Sequence, residues 1–142
     1  MRSYSHTEIS SILDIGMNFL FLSNYCTVSS DSGHGFFDLD HHKYYFRDHF
    51  LSDSILPISL IQESMLQCIV MLMHDLALFS SGEKSIVFQL STRSFHPVTP
   101  KYNRLLVRSS ISKIRNGIIY ANALSFCETL CVAKGNFSFV IQ

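Results

Sequence analysis

The hydrophobic pattern of the chain is dominated by one long apolar segment, residues 58–79. Drawn as a helix, this segment carries apolar side chains on nearly every face, which is typical of a helix buried on most sides. Pro57 precedes it and favours a helix start, because the missing N–H of proline costs nothing there. We therefore predict a central helix of about 22 residues, roughly 33 Å long, that ends at Ser80-Ser81-Gly82.

Strand-like segments lie on both sides of this helix. Their Phe, Leu, Tyr, Val and Ile content predicts six strands, at 19–28, 36–45, 85–90, 104–114, 118–127 and 130–141. Ser, Asp and Gly predict a turn at 29–35, and Asn116-Gly117 predicts a two-residue hairpin turn. Ser5 with Glu8 fits a capping box that begins a short helix near the N-terminus.

This order of elements predicts an α+β fold in which an antiparallel β-sheet wraps around one long central α-helix. The 142 residues are enough for one domain with a substantial core, so we assign residues 1–142 to a single domain.

Composition narrows the classes of partner. The chain is 47% hydrophobic and 15% charged, so we expect a partner to cover part of the surface. A formal net charge of zero gives no reason to expect a nucleic acid or an anionic membrane. Polar residues interrupt the long helix too often for a transmembrane span. We expect no signal peptide and, because the four cysteines form no Cys-x-x-Cys motif, reduced thiols in the cytoplasm.

Candidate chemistry lies at the start of the long helix. Glu63 and Gln67 are four residues apart and share one helix face. Considered alone, Glu63 is a partner for the positive end of the helix dipole. His49-Phe50 lies upstream, with Pro57, Glu63 and Gln67 at offsets of 8, 14 and 18 residues from the histidine.

These spacings resemble the signature of the bacterial 3-hydroxyacyl-[acyl carrier protein] dehydratases, which have the hotdog fold. The segment Pro97-Val98-Thr99-Pro100 resembles a second loop of that family. Asp48 and Ile58 stand where the family usually has glycine. These two departures favour a specialised fatty-acid, polyketide or polyene pathway.

The resemblance implies a lyase that dehydrates a 3-hydroxyacyl thioester to the trans-2-enoyl thioester. His49 would remove the C2 proton and Glu63 would protonate the C3 hydroxyl, roles that suit a histidine and a buried carboxyl. Backbone N–H groups near Ile58 and Ser59 would polarise the thioester carbonyl, and Gln67 would orient Glu63 or a loop by hydrogen bonding. The resemblance thus gives a substrate-binding set: Phe50, Pro57, Ile58, Ser59 and Gln67.

The resemblance also implies the partners. The acyl chain would arrive on the phosphopantetheine arm of an acyl carrier protein and lie in a tunnel near Met65, Leu66 and Phe88. Family members are dimers with a sheet continuous across the interface, and His49 and Glu63 would come from opposite subunits of a homodimer or heterodimer. No cofactor and no metal site are expected.

Two other functions remain open at this point. Loss of the glycine at Ile58 fits a non-catalytic hotdog subunit of a heterodimeric dehydratase. A hotdog acyl thioesterase would use a carboxylate and water and would need no histidine at the position of His49.

Overall fold

The computed structural model describes residues 2–142, and in this part of the chain seven strands and three α-helices form one unit. The strands are β1 (Ser3–Ser5), β2 (Asn24–Thr27), β3 (Ser32–Asp38), β4 (Ser85–Ser94), β5 (Arg104–Arg115), β6 (Ile118–Cys127) and β7 (Leu130–Ile141). The helices are α1 (His6–Leu13), α2 (Tyr44–Arg47) and α3 (Ile58–Asp75), with a 3-10 turn at Met17–Phe19.

All seven strands described in residues 2–142 form one antiparallel sheet in the order β1-β2-β3-β5-β6-β7-β4. The long helix α3 packs on one face of this sheet, so the predicted α+β class and central helix are confirmed. Strand residues alternate between buried and less buried positions, most regularly in β6. Side chains of α3 that fill the space above the sheet are Ile61, Met65, Cys68, Ile69 and Leu72.

Helix α3 begins where the sequence predicts and ends earlier. Pro57 is its N-cap residue, but the helix stops at Asp75, four residues before the predicted end. Ala77 adopts a left-handed conformation with φ of 53°, and the N–H of Leu78 donates to the carbonyl of Met73 over 3.0 Å. This reversal of the chain satisfies the last helical carbonyls, so Gly82 belongs to the following turn and does not end the helix.

The N-terminal strands were placed wrongly by the sequence pattern. The strand predicted at 19–28 covers only Asn24–Thr27, because residues 19–21 lie against α3 instead of entering the sheet. The strand predicted at 36–45 is the segment Ser32–Asp38, and α2 follows it. Glycines at 33 and 35 resembled a turn, yet at Gly35 an added Cβ would lie 2.9 Å from Leu22, so glycine allows close packing there.

The C-terminal strands agree closely with the sequence pattern. β6 and β7 have the predicted bounds, and β5 is one residue longer. Asn116 and Gly117 have φ values of 54° and 76° and join β5 to β6 as the predicted hairpin turn. The capping box at Ser5 is also confirmed, because the Glu8 carboxylate accepts the Ser5 N–H over 2.7 Å.

Strand β4 is a long, exposed edge of the sheet. It pairs only with β7 among the strands described in residues 2–142, and it carries a bulge between Val87 and Gln89. Three large apolar side chains on it, Ile86, Phe88 and Leu90, are between 42% and 53% exposed. An unpaired apolar edge of ten residues is a ready template for pairing with another chain.

The described part of the chain contains no helix that is long and apolar enough to cross a bilayer. All four cysteines, which lie within it, are free thiols; Cys68 and Cys127 are buried, whereas Cys26 and Cys131 are partly exposed. Burial raises the pKa of the Cys68 thiol to about 12, which makes this thiol a poor nucleophile.

Candidate active site

His49 lies in the loop between α2 and α3, and its ring is held by the backbone of Ile55. The Nδ1 atom is 2.7 Å from the Ile55 carbonyl oxygen, and the Ile55 N–H donates back to the His49 carbonyl over 2.7 Å. A carbonyl can only accept, so Nδ1 carries the proton and the neutral ring has its lone pair on Nε2. This arrangement leaves Nε2 as the nitrogen able to accept a proton. Phe50 stacks on the His49 ring with 4.1 Å between centroids.

His49 lines a cavity of about 370 Å³ beside the start of α3. Ile58, the first residue of α3, borders the same cavity and is 42% exposed. The opposite wall is formed by residues 94–98, which are the last residue of the edge strand β4 and the loop that follows it. His49 therefore lies between the N-terminus of the central helix and the exposed edge of the sheet.

The first turn of α3 offers backbone donors next to this cavity. The first N–H that bonds within the helix is that of Leu60, which donates to the Pro57 carbonyl over 3.0 Å. The N–H groups of Ile58 and Ser59 precede it, and within the described residues no side chain caps the helix. The start of a helix carries partial positive charge, so these two N–H groups can stabilise a developing negative charge.

Glu63 and Gln67 lie further along α3 and are joined by a hydrogen bond. The Gln67 Nε2 donates to Glu63 Oε1 over 3.1 Å and to the Phe19 carbonyl over 2.9 Å. The Gln67 Oε1 accepts the Phe21 N–H over 2.8 Å. Burial raises the pKa of the Glu63 carboxyl, and the bond from Gln67 opposes part of that rise. Glu63 thus stays protonated to a higher pH than an exposed glutamate.

Glu63 and Gln67 border a second cavity, of about 260 Å³, between α1, α3 and β4. Its wall is largely apolar, with Leu66 and Val70 from α3 and Leu13 from α1. Of the three side chains expected along an acyl tunnel, only Leu66 lines it. Met65 is fully buried in the core, and Phe88 is 53% exposed on β4.

The predicted catalytic pair is thus divided between two cavities of one chain. His49 and Ile58 border one cavity, and Glu63 and Gln67 border the other. Pro57 and Ser59 flank Ile58 at the start of α3, and neither side chain lines the first cavity. Within residues 2–142 of a single chain, neither of these two cavities is lined by both His49 and Glu63.

The backbone groups that hold these side chains have no signal in the amino-acid sequence. Ile55 fixes the tautomer of His49 through its carbonyl, and Phe19 and Phe21 hold Gln67 through a carbonyl and an N–H. Every residue type can supply such groups, so no residue type along the chain marks these positions. The described residues contain no group of three or more His, Cys, Asp or Glu that could hold a metal ion.

Comparison with known proteins gives one family and a set of shared folds. The model of a family described as FabA-like domain matches residues 16–136. A protein described as a thioesterase from Haemophilus influenzae superposes with a TM-score of 0.72 at 8% identity, over 99% of this chain and 92% of that chain. A candidate thioesterase from a Silicibacter species gives 0.72 at 12% identity, over 98% and 92%. No curated protein matches the sequence.

Proposed function

The chain belongs to the FabA-like domain family and has the hotdog fold, and on this basis we propose that it dehydrates a 3-hydroxyacyl thioester. The substrate would be carried on the phosphopantetheine arm of an acyl carrier protein, and the product would be the trans-2-enoyl thioester. The observation that carries this proposal is the environment of two side chains at the family spacing. His49 has a free Nε2 lone pair, and Glu63 has a raised pKa.

Each side chain has one proton to move. His49 Nε2 takes the C2 proton, and the electron pair of the broken C–H bond forms the C2–C3 double bond. The C–O bond at C3 breaks, and Glu63 gives its proton to the departing hydroxyl, which leaves as water. The proton gained by His49 and the one lost by Glu63 are then exchanged with solvent, which restores both groups. General acid and base catalysis of this kind contributes about 10²- to 10⁴-fold in rate.

The thioester carbonyl would face the first turn of α3. As the C2 proton leaves, negative charge builds on the carbonyl oxygen, and the N–H groups of Ile58 and Ser59 are the donors available to it. Ile58 borders the His49 cavity, which supports this position for the carbonyl. Its branched side chain narrows access to the backbone, and together with Asp48 it favours a specialised fatty-acid, polyketide or polyene substrate.

The active unit would be a dimer joined through β4. Pairing of two β4 edges continues the sheet from one chain into the next and covers Ile86, Phe88 and Leu90. The wall of the His49 cavity at residues 94–98 follows directly from that strand. A complete site would then combine His49 of one chain with a carboxyl of its partner, either as a homodimer or with a second hotdog subunit, in the cytoplasm.

Hydrolysis of the thioester is the second candidate, because both structural neighbours are described as thioesterases. In that reaction Glu63 would act as a base on water and would need to be ionised at rest. Its raised pKa works against this role. The hydrogen bond that His49 Nδ1 donates to the Ile55 carbonyl, which fixes the His49 tautomer, would also have no role in hydrolysis. Dehydration therefore uses more of the observed geometry.

One experiment separates these functions. The purified protein is incubated with a 3-hydroxyacyl-loaded acyl carrier protein, and the products are measured by mass spectrometry. Loss of the mass of one water indicates dehydration, a free acid indicates hydrolysis, and an unchanged carrier indicates a non-catalytic subunit. His49→Ala and Glu63→Gln should each lower the rate at least about 100-fold. His96→Ala, in the wall of the same cavity as His49, is the matched control and should keep most activity.

A further inference from the structure

The zero net charge of the chain hides two oppositely charged halves. Residues 84–142 contain eight Lys and Arg and one acidic residue, Glu128, whereas residues 1–83 contain three Lys and Arg and ten acidic residues. Strands β4 to β7 contain no Asp or Glu at all. The positive charge is therefore concentrated on the part of the sheet built by these four strands.

Several of these cations lie in one row across the outer face of the sheet, the face away from α3. In the strand register, His34 of β3 lies opposite Arg108 of β5, and Lys134 of β7 lies opposite Arg93 of β4. Leu124 of β6 completes the row between Arg108 and Lys134. Lys134 and Arg93 are like charges placed directly opposite each other, an arrangement that destabilises a sheet. An anion bound over the row would remove that repulsion.

Two cations of the row, Arg108 and Lys134, differ from the basic residues that are paired with carboxylates. Arg104 forms an ion pair with Asp38 over 2.7 Å, and Lys84 forms one with Asp14 over 3.2 Å. Within residues 2–142, Arg108 and Lys134 form no ion pair with a carboxylate. The Arg108 guanidinium instead lies over the Phe126 ring, 4.8 Å from its centroid, which fixes its position.

The row borders a cavity of about 470 Å³, and the remaining lining is mainly uncharged and polar. Ser32, Ser110, Asn122 and Asn136 lie opposite one another on adjacent strands and form a second row beside the cations. Their hydroxyl and amide groups can donate to and accept from a ligand. A cavity of this volume is within the range of small-molecule sites.

We propose that this cavity on the outer face binds a soluble small-molecule phosphate ester. Arg108 and Lys134 would hold the phosphate, and the row of Ser and Asn side chains would hold the hydroxyl groups of the organic part. The Cα atoms of Arg108 and Lys134 are two strands apart, about 10 Å, which lets two long side chains converge on one anion. A dianionic phosphate matches several basic donors better than a single carboxylate does.

His34 supports the same assignment. Burial lowers the pKa of the His34 ring, and the neighbouring Arg108 lowers it further. The ring is therefore neutral in the unliganded protein at neutral pH and can donate or accept one hydrogen bond. A bound phosphate would neutralise Arg108 and add a hydrogen-bond partner for the ring.

Isothermal titration calorimetry in phosphate-free buffer tests the proposal with glycerol 3-phosphate as the probe and glycerol as its uncharged control. Glycerol 3-phosphate should bind with a Kd below about 1 mM, and glycerol should not bind. Arg108→Gln and Lys134→Gln should each weaken binding at least about tenfold, equivalent to 1.4 kcal/mol. Arg115→Gln is the matched control, because Arg115 is exposed on the same strand outside the cavity, and it should leave the Kd unchanged.

Three outcomes would overturn the proposal: no binding of glycerol 3-phosphate, unchanged binding by both folded variants, or binding only to vesicles that contain phosphatidic acid. Thermal melts establish that the Arg108→Gln and Lys134→Gln variants are folded. If one of them is unfolded, the Kd of the other variant tests the proposal. His49→Ala should bind glycerol 3-phosphate like the parent. Failure of the proposed dehydratase activity would therefore not affect this result.

Discussion

Gln67 connects the Glu63 carboxyl to the segment at Phe21, which lies 46 residues before Gln67 in the sequence. Its side chain donates to Glu63 Oε1 over 3.1 Å while its own oxygen accepts the Phe21 N–H over 2.8 Å. The Gln67 side chain is 2% exposed, so neither bond can be replaced easily by water. The position of the carboxyl therefore depends on how the segment before β2 packs against α3.

We expect Gln67→Met to lower the free energy of unfolding by about 1–3 kcal/mol, because the buried Phe21 N–H and the partly buried Phe19 carbonyl lose their partner. Dehydration should also slow, because Glu63 loses its positioning bond. Gln62→Met is the matched control. Its amide accepts one bond from Thr92 at a partly buried position, and its loss should cost about 1 kcal/mol or less. Chemical denaturation measures both, and equal losses would contradict the role assigned to Gln67.

The raised pKa of Glu63 predicts a pH dependence of stability. The folded protein holds this proton above the ordinary pKa of 4.5, where the unfolded chain has lost it. Stability contributed by this group is therefore present below about pH 4.5 and falls as the pH rises through the folded pKa. Glu63→Gln has no proton to lose at this position and so avoids this loss. The Tm of the variant minus the Tm of the parent should therefore be larger at pH 7 than at pH 4.

Glu83 provides a control of opposite sign for this measurement. Hydrogen bonds from Ser80 lower the pKa of the Glu83 carboxyl. Its stabilising contribution is therefore present above its ordinary pKa and lost in acid. Glu83→Gln should lower the Tm at pH 7 and have less effect in acid. The same trend in both variants would contradict the environment described for Glu63.

The proposal that each site is shared between two chains predicts recovery of activity on mixing. His49→Ala and Glu63→Gln proteins should each be inactive alone, and a mixed dimer should regain one complete site. Mixing should restore up to about one quarter of the parent activity, because half of the chains form mixed dimers with one working site of two. Native mass spectrometry verifies exchange of subunits. Exchange without recovered activity would show that the acid and the base come from the same chain.

The size of the side chain at position 58 should control how closely the thioester carbonyl can approach the backbone N–H groups at the start of α3, and therefore the turnover rate. Ile58→Gly should leave the protein folded at a cost of about 1 kcal/mol or less and keep or raise the rate, with a broader choice of acyl chain. Ile58→Trp should close the cavity that His49 borders and lower the rate, with His49 and Glu63 intact. Steady-state kinetics on carriers with short and long acyl chains measures both. Unchanged kinetics in both variants would place the carbonyl elsewhere.

The sequence predicted the elements whose signals are local. Pro57 marked the start of α3, Asn116-Gly117 marked the hairpin, and Ser5 with Glu8 marked α1. Each of these signals depends on backbone geometry within a few residues. The predicted strand at 19–28 failed because a distant residue, Gln67, holds part of that segment against α3.

In the candidate site, too, local features could be predicted from the sequence and features that depend on distant contacts could not. The spacing from His49 to Glu63 is visible along the chain, but the assignment of the two side chains to different cavities depends on packing. The end of α3 also could not be predicted, because Ala77 has no sequence preference for the left-handed conformation that it adopts. The charge of the outer face was hidden because acidic residues elsewhere balance it in the total.

The exposed edge of β4 has a consequence for the assembly and abundance of the protein in a cell. In the proposed dimer, a newly made chain would display an unpaired, apolar strand until its partner covers it, and that strand could pair with the same strand of an incompletely folded neighbour. The stability of such a protein depends on its concentration, since dilution favours the uncovered form. Rates of synthesis and access to chaperones would then decide its abundance as strongly as the packing inside each chain.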